Sequence, residues 1–162
     1  MKNIIVAACL VLSTCIVNAE QITLNGHKLN IENLDCINDF CTGFFNDNNG
    51  YKWGVLAKQN DSAPIDFIRI DQHKTTRAWI MTVEPKSSKE KIKSSLIGVD
   101  VDCNSFTTRV VHISLYDTFF CEGKSKQMSE EIRAPFVPTP GSLFEAASVL
   151  VCRNLHQANG AK

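Results

Sequence analysis

The chain has 162 residues, 17 basic and 17 acidic side chains, and a formal net charge of zero at pH 7. That balance argues against a general nucleic-acid binder, whose phosphate contacts need a basic excess, and against membrane-surface binding driven by bulk charge. The length suits one domain with a core large enough to fold alone.

The first element is an export signal over residues 1–19. Lys2 supplies a positive start, Ile4 to Val17 is a short apolar run, and Val17-Asn18-Ala19 is a small-x-small cleavage site, so the mature chain should begin at Glu20. The apolar run falls short of the roughly twenty residues that span a bilayer, so no integral span is expected in the mature chain. Val6-Ala7-Ala8-Cys9 has the look of a lipoprotein site but leaves too few residues before the cysteine for a complete signal.

Cleavage removes Cys9 and Cys15 and leaves Cys36, Cys41, Cys103, Cys121 and Cys152. In an oxidising compartment this implies two bridges and one thiol left over. Cys36 and Cys41 are close enough to close a small local loop, and pairing of Cys121 with either of them is the alternative.

Most of the mature chain reads as β-structure. Asn25-Gly26 separates Ile22-Thr23-Leu24 from His27-Lys28-Leu29, a loop suited to a type I′ hairpin because both positions tolerate positive φ. Asp47-Asn48-Asn49-Gly50 separates Cys41–Phe45 from Tyr51–Leu56, and the aromatics Phe44, Phe45, Tyr51 and Trp53 cluster at this second hairpin. Further strands are expected at Ile65–Asp71, Arg77–Val83, Ile97–Cys103 and Arg109–Tyr116. In the third of these, Ile97, Val99, Val101 and Cys103 share one face, while Gly98, Asp100 and Asp102 share the other. In the fourth, Val111, Ile113 and Leu115 oppose Val110, His112, Ser114 and Tyr116. Such strands suit an antiparallel sheet with one covered face.

The period then changes. Pro138-Thr139-Pro140-Gly141 ends the extended region, and Ser142 with Glu145 forms a capping box. Phe144, Ala147, Val151 and Leu155 recur at helical spacing, giving a stripe for the open sheet face, with Cys152 beside it. The fold class is α+β, an antiparallel sheet packed by a C-terminal helix.

Asp66-Phe67-Ile68-Arg69-Ile70-Asp71 leading to Trp79, then Val101-Asp102-Cys103, then Pro140-Gly141-Ser142 running to Val151-Cys152-Arg153, resemble in order and spacing the bacterial surface-adhesin protein E family. The resemblance covers about Asp66 to Arg153, with Glu20 to Lys58 as an N-terminal β extension of the same domain. It implies a disulfide from Cys103 to Cys152 tethering the helix to the sheet, with Cys121 left over once Cys36 and Cys41 pair. It also implies an exported protein at the cell surface, in the periplasm or secreted, that binds a protein partner, with host extracellular proteins the implied target. A periplasmic inhibitor or envelope-assembly binding protein is the alternative, and a hydrolase ranks lowest.

Catalytic signals are sparse. His27, His73, His112 and His156 lack the spacing of a metal site, so neither metal nor cofactor is expected. Asp100 and Asp102 share a strand face, where paired carboxylates or a cation site compete with an ordinary polar surface. There is no Gly-x-Ser-x-Gly elbow, Cys-x-x-Cys pair or phosphate-binding glycine loop, and the expectation is a non-enzyme. Lys86, Lys89, Lys91 and Lys93 crowd one Ser-containing loop offset only by Glu90, a candidate contact for an acidic partner.

Overall fold

The computed structural model describes residues 19–37, 40–58, 62–129 and 134–160. The expected signal segment lies outside them up to residue 18, and β1 begins at Ala19, next to the expected cleavage point.

Among the described residues, nine strands form one antiparallel sheet in simple meander order. They are β1 (Ala19–Leu24), β2 (His27–Ile37), β3 (Phe40–Asn46), β4 (Lys52–Lys58), β5 (Ile65–Ile70), β6 (Arg77–Val83), β7 (Ser94–Asp102), β8 (Thr107–Tyr116) and β9 (Gln127–Ser129). A 3₁₀ turn at Phe119–Cys121 follows β8, and helix α1 (Leu143–Gly160) closes the chain. Among the described residues, no helix is long and apolar enough to cross a membrane.

Both hairpins expected from turn chemistry form. Asn25 and Gly26 adopt φ of 50° and 82°, the left-handed pair a type I′ turn needs. At the second turn the Asp47 carboxylate accepts the backbone N–H of Asn49 and of Tyr51, each at 2.9 Å. β6 matches its expected span, whereas β7 starts at Ser94, earlier than Ile97. Ser94 reads as loop chemistry, but its buried hydroxyl donates to the Thr118 carbonyl at 2.7 Å and accepts the Cys121 N–H at 2.9 Å, so the tertiary fold holds it.

The sheet is covered on both faces, not one. Period-2 alternation sends Ile65, Phe67, Met81 and Val83 into one core and Ile68, Ala78 and Ile80 into another. The first core also takes Leu24, Leu29 and Ile31 from β1 and β2. In a flat sheet β2 would sit about 19 Å from β6, four strand spacings away. Here the His27 ring on β2 instead meets the Glu84 carbonyl just after β6, with Nε2 and O 2.9 Å apart, and Lys86 N–H donates to the Asn25 carbonyl at 3.1 Å. The Asn25 side-chain amide adds a bond to the Ala63 carbonyl. The sheet therefore rolls around the first core, and Phe119 and Phe120 pack against that core from the 3₁₀ turn.

On the outer face α1 buries Ala147 and Val151 against Ile80, Val99, Val101 and Val110. Ser142 Oγ accepts the Glu145 N–H at 3.2 Å, and the Glu145 carboxylate accepts the Gly141 N–H at 2.7 Å, so the capping box forms with its return bond one residue early. Cys103 and Cys152 are disulfide-bonded, tethering the end of β7 to the helix. Ile97, Val99, Val101 and Cys103 share the helix-facing side as expected. In β8 the expected faces fail at one point. Gly98 pairs with His112 but Val99 pairs with Val110, so Val111 is an extra residue, and this bulge puts Val110 and Ile113 on the same side.

Candidate functional site

Two surfaces stand out: a groove on the outer face and a cavity on the inner one.

Helix α1 packs across β5 to β8 and leaves the β3–β4 end of the outer face uncovered. A groove of about 720 Å³ runs between them, walled by Phe44, Leu56, Ile68, Ala146, Val149 and Leu150, with Gly54 keeping its floor low. Phe44, Val149 and Leu150 are 40%, 49% and 39% exposed, high for large apolar side chains. The Lys52 ammonium sits 4.4 Å from the Phe44 ring centroid and pairs with Glu32 at 3.1 Å. Of the four clustered aromatics, only Phe44 is exposed; Trp53 is buried, and Phe45 and Tyr51 are half-buried.

The inner-face cavity measures about 810 Å³ and has Arg69 in its lining. Arg69 follows Phe67 on the inward side of β5, a position where an apolar residue would be ordinary. Its guanidinium carbon lies 4.2 Å from the ring centroid of Tyr51, 4.9 Å from Trp53 and 5.8 Å from Trp79. Both indoles are held by carboxylates. Trp53 Nε1 donates to Asp47 Oδ2 at 2.9 Å, and Trp79 Nε1 donates to Asp71 Oδ2 at 2.6 Å. Asp71 Oδ1 accepts the backbone N–H of His73 and of Lys74, at 2.8 and 2.9 Å. Burial pulls the Asp71 pKa up, but the Trp79 bond, the two backbone amides and the nearby Arg69 charge outweigh it, and the carboxyl sits below its ordinary value. Arg69 Nε is buried with no hydrogen-bond partner, and among the described residues no carboxylate lies within ion-pair distance of the guanidinium. Burial lowers the pKa of Arg69, against the pull of Asp71, Tyr51 and Asp47.

The other sequence candidates have structural occupations. Asp100 bonds Arg77 at 2.7 Å and Lys74 at 2.8 Å, with Arg109 at 3.6 Å; burial raises its pKa, and Arg77 and Lys74 more than reverse the shift. Asp102 accepts the Asn104 N–H at 2.9 Å and the Ser105 hydroxyl at 2.8 Å, stitching the β7–β8 turn. In the lysine loop, Lys93 Nζ donates to the Ser88 carbonyl at 2.6 Å, and the Lys86 side chain packs on Gly26, while Lys89 and Lys91 are exposed. His27 is buried against Phe119 and Phe120, His112 packs on Trp79, and His73 and His156 are exposed. Cys36 and Cys41 face each other in the β2–β3 register, and their side chains lie outside the described residues. Cys121 is a free, half-buried thiol whose pKa burial pushes up to about 11.

The Arg69 cradle carries no spacing signal in the sequence, since its parts come from β4, β5, β6 and two turns. Arg69, Asp71 and Trp79 do belong to the segment that carried the family resemblance, and Tyr51 and Trp53 to the aromatic cluster.

Searches of curated proteins and of solved structures returned no match. The family model for surface-adhesin protein E matches residues 53–153, from β4 through most of α1. With the helix-on-sheet core and its Cys103–Cys152 tether inside that match, the chain belongs to the surface-adhesin protein E family, a membership that supports an adhesin-like binding role at the cell surface.

Proposed function

We propose that the protein is exported by cleavage after Ala19, stands on the outer surface of a bacterial cell, and adheres to host extracellular proteins through the groove between α1 and β3–β4. The observation carrying this reading is the family match over residues 53–153, which contains β4 and α1, from which most of the groove is built. A partner segment presenting apolar side chains suits Phe44, Val149 and Leu150, which water otherwise covers. Glu145 and Arg153 line the same groove and supply polar contacts, and the exposed Lys89 and Lys91 add cations for an acidic region of the partner. Cys36 and Cys41, opposite each other in register, are a second bridge in this oxidised protein.

The test combines location with binding. Antibody labelling of intact cells and N-terminal sequencing should find surface protein beginning at Glu20. Purified protein should bind immobilised extracellular-matrix proteins, and Val149→Asp with Leu150→Asp should weaken that binding at least about tenfold while leaving the fold intact. Labelling only after the outer envelope is opened would overturn adhesion in favour of a periplasmic binding role.

A further inference from the structure

We infer that the Arg69 cavity is a binding site for the carboxylate of a small acidic ligand, separate from the groove and independent of the adhesion reading. A cation on the inner face of a rolled sheet is an expensive placement unless its donors are satisfied. The cradle covers the guanidinium with the rings of Tyr51, Trp53 and Trp79 but leaves the buried Nε without an acceptor. The two nearest candidates to fill that role are committed elsewhere. Asp47 spends one oxygen on its turn and the other on Trp53, and Asp71 does the same with its turn and Trp79. They hold the aromatic walls upright and attract the guanidinium across space, without taking a hydrogen bond from its Nε.

A planar guanidinium clamped between rings presents its N–H groups in a fixed fork, the geometry that takes a carboxylate with two parallel bonds. The space in front of it, about 810 Å³, falls within the range of small-molecule sites. Its lining pairs the apolar Met81, Leu96 and Phe120 with the polar Asn49 and Tyr116, so the ligand carries an acid group on a partly apolar body. A sugar acid and an acylated amino acid share that chemistry.

The chain has only two tryptophans, Trp53 and Trp79, and both border Arg69, so their fluorescence reports on this site directly. The disulfide-bonded protein is titrated with N-acetylneuraminic acid and with N-acetylphenylalanine, each beside its uncharged methyl ester, up to about ten millimolar. The expected result is a saturable change in emission with an acid and none with its ester; whichever acid acts identifies the source of the carboxylate. Arg69→Gln should weaken the response at least about tenfold and Arg69→Lys should retain part of it, with folding checked by thermal melting. No saturable change with either acid, or an equal response to acid and ester, overturns the site. Because the ester comparison uses the unmutated protein, it decides the question even if the Arg69 variants unfold. Loss of matrix binding in the groove variants would leave this result untouched.

Discussion

Thr108 on β8 and Ser148 on α1, both fully buried, share a hydroxyl hydrogen bond of 2.7 Å that joins the sheet to the helix. Ser148 Oγ also donates to the Phe144 carbonyl at 2.8 Å, which uses its only proton, so Thr108 is the donor of the pair. The two deletions are therefore unequal. Ser148→Ala strands a buried O–H and should cost about 1–3 kcal/mol, whereas Thr108→Val leaves Ser148 its helix bond and should cost about 1 kcal/mol or less. The double variant should be less destabilised than Ser148→Ala alone, because Thr108→Val removes the stranded hydroxyl. Denaturant midpoints for the four proteins check this, and a costlier Thr108→Val would reverse the assigned donor.

The Cys103–Cys152 bond spans 49 residues and anchors the helix whose other contacts are largely apolar. Chain-entropy arguments give about 4 kcal/mol for a loop of this length, comparable to much of a domain's net stability. Replacing both cysteines by Ala should lower the unfolding free energy by that order and lower the helical signal first, since α1 meets the sheet along one stripe. An unchanged urea midpoint would show that packing alone holds the helix.

His27 gives stability a pH dependence. Its Nε2 faces the Glu84 carbonyl, which can only accept, so Nε2 carries a proton. Burial lowers its pKa from the ordinary 6.5, partly opposed by the Glu84 bond and reinforced by Lys86. With the folded pKa below the unfolded one, the unfolded chain takes up the proton first. Stability from this group is thus intact above 6.5, falls as pH drops below it, and levels off once the folded ring protonates. Chemical denaturation between about pH 7 and pH 5 should show that decline, and His27→Gln should flatten it. Equal slopes for the two proteins would rule it out.

Gly98 lets β7 pass close beneath Trp79. A Cβ there would lie 3.0 Å from Trp79 Cζ3 and 3.1 Å from His112 Cβ. Gly98→Ala should therefore cost about 1–3 kcal/mol and shift tryptophan emission as the indole is displaced from Asp71. An unaltered spectrum with unaltered stability would mean that β7 moves aside freely.

Much of the architecture was legible locally. The Asn25-Gly26 turn, the alternation of β5 to β7 and the Ser142–Glu145 cap each depend on residues within a few positions of one another, and backbone sterics and orphan amides act at that range. The helix stripe and Cys152 likewise declared which side of α1 would meet a sheet.

Tertiary structure decided the rest. Whether one or both sheet faces are buried depends on the roll that brings His27 to Glu84, a contact between residues 57 apart. The bulge at Val111 turns on pairing with β7, and a period-2 pattern read from one strand cannot contain it. Arg69 is the sharpest case. In sequence it is one charged residue in an alternating strand, free to face water. Only the curvature of the sheet, which sets Tyr51, Trp53 and Trp79 around it and engages both nearby carboxylates with other donors, makes it a half-buried cation whose Nε has no acceptor. Chain-local physics chose the elements of this protein, and long-range packing chose which of its charges would be left without a partner.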